Sequence, residues 1–210
     1  MLGRWLLAIA HILVLPHSFL TLQDRLARTE ATITVASPEG GEQIEVGDEL
    51  VVAPYLGVYY YMFNLRRPPF DDPRLRRALS MVVDRELLAE RVTGVGELPA
   101  FSFVPPGVRD YEPATLSWRS ATREERRAEA RRLYAEAGFG DDRPLRFELI
   151  YNTGGNHRKI ALAIASMWQE ALGVEVQPVN MELRVMLERR RDPEAWVAMR
   201  LGWVGDFDDA

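Results

Sequence analysis

A chain of 210 residues, 47% apolar and 27% charged, has enough hydrophobic sequence for one globular domain or two small ones, which excludes a disordered chain. Its formal net charge of −5 supplies no global basic field for nucleic acid, and Lys159 is the only lysine among cations that are otherwise arginine. The absence of cysteine excludes disulfides, thiolate metal sites, a cysteine nucleophile and a lipidated N-terminal cysteine.

In chain order, the first feature is an apolar run from Trp5 to Leu15, interrupted by His11 and ended by Pro16. It has the size of an export-signal core and is too short to span a bilayer, but no small-residue cleavage site follows it. An accidental N-terminal stretch accounts for it equally well. Thr32-Ile33-Thr34-Val35 alternates as a strand and Pro38-Glu39-Gly40-Gly41 punctuates as a turn; Glu49 to Ala53 is a second strand candidate. Val58 to Leu65 reads as a strand with aromatics on both faces, so it belongs between two layers, where its phenols need partners.

Arg66 to Pro73 is expected as a rigid extended loop into a helix that Asp72 caps and Pro73 opens, with Leu75, Ala78, Leu79 and Val82 inward. Asp84 caps a second short helix with Leu87, Leu88 and Val92 inward, stopped by Gly94 and Gly96. Phe101 to Trp118, rich in proline and aromatics, reads as a long ordered loop. The capping box Thr122-Arg123-Glu124-Glu125 opens a helix to Ala137.

From Leu145 onward the pattern is strand, helix, strand, helix, strand. These are Leu145–Tyr151, Arg158–Leu172, Val174–Val179, Glu182–Arg191 and Trp196–Leu201. Such alternation predicts βαβ crossovers and a parallel or mixed sheet covered by helices, with ligands met at the carboxyl ends of strands. Residues Asn152 to His157 and Gly202 to Asp208 occupy two such ends. The last strand is expected to break at Gly202 and Gly205, delivering Trp203, Phe207 and the carboxylates of Asp206, Asp208 and Asp209 to a loop. Aromatic faces beside an acid suit a ligand ammonium group, although a strand end with a solvated acidic tail explains the same residues.

Phosphate-binding glycine loops, HExxH and EF-hand spacings are absent. Three histidines, two of them before residue 20, make a histidine-rich metal site a poor expectation. His157 opens a helix, where it caps the helix, faces solvent, or donates to an anionic group beside the helix N-terminus. Arg200 in the final strand needs a counter-charge if buried, from an internal acid or from a ligand carboxylate. A hydrolase using the terminal acids is the enzymatic alternative.

Together these residues resemble a known family. Tyr59-Tyr60-Tyr61-Met62-Phe63-Asn64, Arg67-Pro68-Pro69-Phe70-Asp71-Asp72-Pro73-Arg74-Leu75-Arg76-Arg77-Ala78-Leu79-Ser80 and Val83-Asp84-Arg85 are similar to the peptide-type solute-binding proteins of bacterial ABC importers, extracellular family 5. Leu149-Ile150-Tyr151-Asn152-Thr153 with His157, Trp168 to Val174, and Arg200-Leu201-Gly202-Trp203 with Asp206-Phe207 continue the likeness in order. It runs from about Gly47 to the end and leaves residues 1–30 unmatched.

The resemblance implies an α/β, periplasmic-binding-protein-like lobe with a mixed sheet flanked by helices, incomplete because family members are much longer. On that basis residues 1–30 are an apolar segment and connector, residues 31–57 strands leading in, and residues 58–210 a ligand-binding lobe cut short at its C-terminal end. The resemblance further implies a periplasmic or cell-envelope receptor, not an enzyme, whose partners are a peptide ligand, an ABC importer permease and the missing lobe of the same receptor. No nucleic acid, cofactor or metal belongs to this picture. Asp206 would pair with the peptide α-ammonium, the strand of Gly202 and Trp203 and the neighbouring Phe207 would run beside the ligand, and Arg200 and His157 would face its carboxyl end. A non-functional remnant of such a receptor, stable only with a partner, is the alternative.

Overall fold

The computed structural model describes residues 8–14, 32–35, 42–45, 56–94 and 97–205. Its strands are β1 (Ala8–Val14), β2 (Thr32–Val35), β3 (Glu42–Glu45), β4 (Gly57–Phe63), β5 (Leu98–Pro99), β6 (Arg146–Asn152), β7 (Glu175–Met181) and β8 (Ala198–Val204). Its α-helices are α1 (Pro73–Met81), α2 (Arg85–Leu87), α3 (Arg123–Glu136), α4 (His157–Leu172) and α5 (Leu183–Arg191), and α2 runs directly into a π-helical turn, Leu88–Thr93. Six strands form one mixed sheet in the order β5-β1-β4-β8-β6-β7, and β2 pairs with β3 in a separate antiparallel hairpin. Within the sheet, β8–β6 and β6–β7 are parallel and the remaining pairs antiparallel, the expected mixed α/β architecture.

Alternation along β4 divides the core. Tyr61 and Phe63 face α1, α3 and α4, where they meet Leu75, Leu79, Ala130, Leu133, Ile160, Ile164 and Trp168. Val58, Tyr60 and Met62 face the other way onto Ile150, Met199, Leu201, Trp196 and Met186 of α5. The Tyr-rich strand is thus sandwiched between two layers, as its composition predicts. Each large side chain so buried contributes about 1.5–3 kcal/mol. Trp168 also satisfies its indole, which donates to the Leu79 carbonyl at 2.8 Å and ties α4 to α1.

The expected caps are formed. Asp72 accepts from the Arg74 amide, Asp84 from Leu87, and Thr122 with Glu125 makes a reciprocal capping box. Several expectations change in detail. Residues 65–71 are a run of turns rather than an extended loop, because Arg67, Phe70 and Asp72 donate their amides to Asn64, Arg67 and Pro69. In α2 the inward residue is Arg85, at 0% exposure, while Leu87 faces solvent at 37%. Arg85 is held there by the carbonyls of Ala100, Ser80 and Val83 and the Ser80 hydroxyl. These hydrogen bonds replace the hydration a buried guanidinium loses. They also pin the start of the 101–118 loop.

The final strand does not break at Gly202. It continues to Val204 because Gly202, Trp203 and Val204 pair with Tyr59, Val58 and Gly57 of β4. The apolar run of residues 5–15 supplies β1, which lies antiparallel to β4 with Ala8 opposite Phe63 and Val14 opposite Val58. The strand candidate Glu49 to Ala53 lies outside the described residues.

Candidate functional site

Parallel β6 and β8 end at Asn152 and Val204, on the side of the sheet where antiparallel β4 begins at Gly57. There a cavity of about 270 Å³ opens, its lining including Tyr59, His157, Arg200, Gly202, Thr93 and Glu97. Residues at carboxyl ends of parallel strands are therefore the ones that meet a hollow, as the topology requires.

Arg200 sits opposite Tyr61 in the β4–β8 register and points to the α4 side of the sheet. Its guanidinium carbon lies 4.4 Å from the Tyr59 ring centroid, and Nη1 donates to Oδ1 of Asn152 at 2.9 Å. No acid among the described residues pairs with it; an amide and an aromatic face are its partners there. Its Nε is buried and finds no partner among the described residues. Burial raises the Tyr59 hydroxyl above its ordinary pKa, with Arg200 and the 3.4 Å contact to the Tyr61 hydroxyl opposing.

His157 begins α4. The turn before it depends on Gly154 and Gly155, at φ of 120° and 48°, where side chains are strained. Asn156 at the N-cap offers no side-chain hydrogen bond to the helix, so the positive end of a 16-residue helix is left open to the cavity that Asn156 and His157 line. The imidazole lies 5.6 Å from the Tyr59 ring, and its buried Nδ1 has no partner among the described residues. Burial, reinforced by the Arg200 charge, pushes its pKa down to about 4, so the ring is neutral at pH 7.

Gly202 lies across from Tyr59. A Cβ there would stand 3.4 Å from Nη2 of Arg200 and 3.6 Å from the Val58 carbonyl, so glycine gives the guanidinium its room. Trp203 lines the cavity rim, but strand alternation turns its ring to the opposite face, 6.4 Å from Phe103 and 40% exposed. Arg200, His157 and Gly202 are thus brought together, while Trp203 stands at their edge. Asp206 and Phe207 lie outside the described residues. Tyr59 and Asn152 complete the site; the sequence placed Asn152 at a strand end but foresaw for Arg200 a counter-charge rather than an amide and a ring. Among the described residues no group of three His, Cys, Asp or Glu is placed to hold a metal, and no helix is long and apolar enough to cross a membrane.

A lobe of this topology, with an arginine-bearing cleft at its strand ends, is the architecture of a solute-binding protein. Residues 20–210 match the family model "Bacterial extracellular solute-binding proteins, family 5 Middle", and the chain belongs to that family. The periplasmic oligopeptide-binding protein OppA of Salmonella typhimurium is 41% identical over 168 residues, 79% of this chain and 30% of the relative. The solved murein tripeptide binding protein MppA of Escherichia coli superposes with a TM-score of 0.71 at 42% identity over 74% of this chain and 30% of its own. Haemophilus influenzae OppA, solved in complex with the peptide RPPGFSPFR, gives 0.70 at 32% identity over 74% of this chain and 31% of its own. The chain spans about 30% of the length of these relatives.

Proposed function

We propose that this chain forms one wall of a peptide-binding cleft in a receptor that feeds an ABC importer. The observation that carries the reading is the group of Arg200, His157 and the open N-terminus of α4 around one cavity, where no acid among the described residues pairs with Arg200 and the buried His157 Nδ1 has no partner among them. That is a seat for a carboxylate. In this reading the ligand's carboxyl end meets Arg200, the tail Asp206 takes its α-ammonium, and Gly202 and Trp203 run beside the main chain between them. The second wall is a lobe of the kind that the relatives' additional length can supply. Binding and release are the whole chemistry; no residue acts as an enzyme's acid, base or nucleophile. The names of the relatives support periplasmic work and peptide ligands.

Charges fixed at both ligand ends leave the side chains between them loosely specified, which suits a receptor for many peptides. Isothermal titration of tri- to pentapeptides into the protein, wild type and Asp206→Ala, tests the reading. Micromolar or tighter binding that weakens at least about tenfold in the variant is expected; undiminished affinity removes Asp206 from the anchor role.

A further inference from the structure

The cavity at the strand ends also carries an acid. The π-helical turn Leu88–Thr93 closes with the Gly94 amide donating to the Ala89 carbonyl at 2.9 Å, and π-helical turns commonly sit at functional sites. It sets Thr93 into the lining that Arg200 and His157 share, and Glu97, just before β5, belongs to the same lining. The Thr93 hydroxyl has one proton and three acceptors in reach: the carbonyls of Leu88 and Ala89 at 3.3 and 3.2 Å, and Oε2 of Glu97 at 2.8 Å. The carboxylate is both the nearest and the only charged one, so it takes the proton. Glu97 is thereby held in place, and among the described residues it has no cationic partner. A neutral hydroxyl fixes the carboxylate without supplying the counter-charge that would cancel its attraction for a cation.

We propose that Glu97, positioned by Thr93, is a specificity determinant that selects peptides whose carboxyl-terminal residue is basic. The assignment rests on the peptide reading above. With the ligand carboxylate at Arg200, a lysine or arginine side chain of the same residue has the cavity to occupy, and Glu97 is the acid it meets there. The terminal residue then presents its two opposite charges to Arg200 and Glu97. An acidic terminal residue places like charge against Glu97 and is disfavoured.

The test is isothermal titration of Ala-Ala-Lys, Ala-Ala-Ala and Ala-Ala-Glu into the wild-type protein, Glu97→Gln and Thr93→Val. Wild type is expected to bind Ala-Ala-Lys about tenfold more tightly than Ala-Ala-Ala, with Ala-Ala-Glu weakest. In Glu97→Gln the Lys-to-Ala ratio should fall below about twofold, and in Thr93→Val it should fall part of the way. Because each ratio is taken within one protein, a general loss of fold or affinity cancels. Equal binding of the lysine and alanine peptides by wild type, or an unchanged ratio in Glu97→Gln, overturns the assignment and leaves the peptide reading standing. Failure of all three to bind wild type overturns both.

Discussion

The Arg200 guanidinium lies over the Tyr59 ring at 4.4 Å while one of its nitrogens donates to Asn152, an arrangement that fixes a half-buried cation without neutralising it. Arginine can do this because its planar fork stacks and hydrogen-bonds at once, whereas an ammonium presents a point charge that holds its water. Arg200→Lys is therefore expected to weaken binding of a free-acid tripeptide by about tenfold or more, and Arg200→Met by about a hundredfold. Titration calorimetry reads both; a lysine variant equal to wild type would show that the stacked fork is dispensable.

Gly202 is where strand geometry and the site compete. Its Cβ position lies 3.4 Å from Arg200 Nη2, a contact a side-chain end can relieve by moving, so Gly202→Ala should cost folding about 1 kcal/mol or less. The displaced guanidinium should lose affinity about tenfold for a free-acid tripeptide. Thermal melts together with titration separate the two effects, and a large loss of stability with normal binding would contradict this view of the residue.

His157 makes a pH prediction whose sign follows from its lowered pKa. The folded ring titrates at about 4 and the unfolded one at 6.5, so between those values the unfolded chain holds a proton that the folded chain lacks. This contribution to stability is complete above pH 6.5 and is lost as pH falls toward 4. In urea titrations, wild type should lose more stability between pH 7 and 4.5 than His157→Gln does. A bound carboxylate favours the charged ring, so peptide binding at pH 6 should take up protons, seen as a dependence of binding enthalpy on buffer ionisation, and His157→Gln should abolish it.

Arg85 is buried for the fold rather than the ligand. Replacing it with methionine leaves the carbonyls of Ala100, Ser80 and Val83 without their donor, at about 1–3 kcal/mol for each buried group left unsatisfied. The segment from Phe101 to Trp118, anchored at Ala100, should become the first site of proteolysis in Arg85→Met. Limited digestion with mass spectrometry checks this, and cleavage unchanged from wild type would oppose it.

Much of the lobe was legible in the chain because period and punctuation are local signals. The capping box at Thr122, the apolar stripe of Ile160, Ile164 and Met167, and the strand–helix alternation after Leu145 all appear where their patterns put them. What the chain hid are pairings between distant strands. Gly202 reads as a strand breaker, yet Tyr59 opposite it keeps the ladder going to Val204. Leu87 was expected inward in α2, yet it is Arg85 that turns in, drawn by the carbonyls of Ala100, Ser80 and Val83. In the site, Arg200 and His157 were foreseeable from family likeness and strand-end position, whereas Tyr59 of β4 and Glu97, just before β5, reach the same cavity, which no linear spacing reveals.

The most direct measurement compares one tripeptide as the free acid and as its C-terminal amide, titrated into the wild-type protein at pH 7. A carboxylate seated on Arg200 makes the acid bind about a hundredfold more tightly than the amide. Equal affinities for the two would mean that no ligand carboxyl group reaches the cavity at the strand ends.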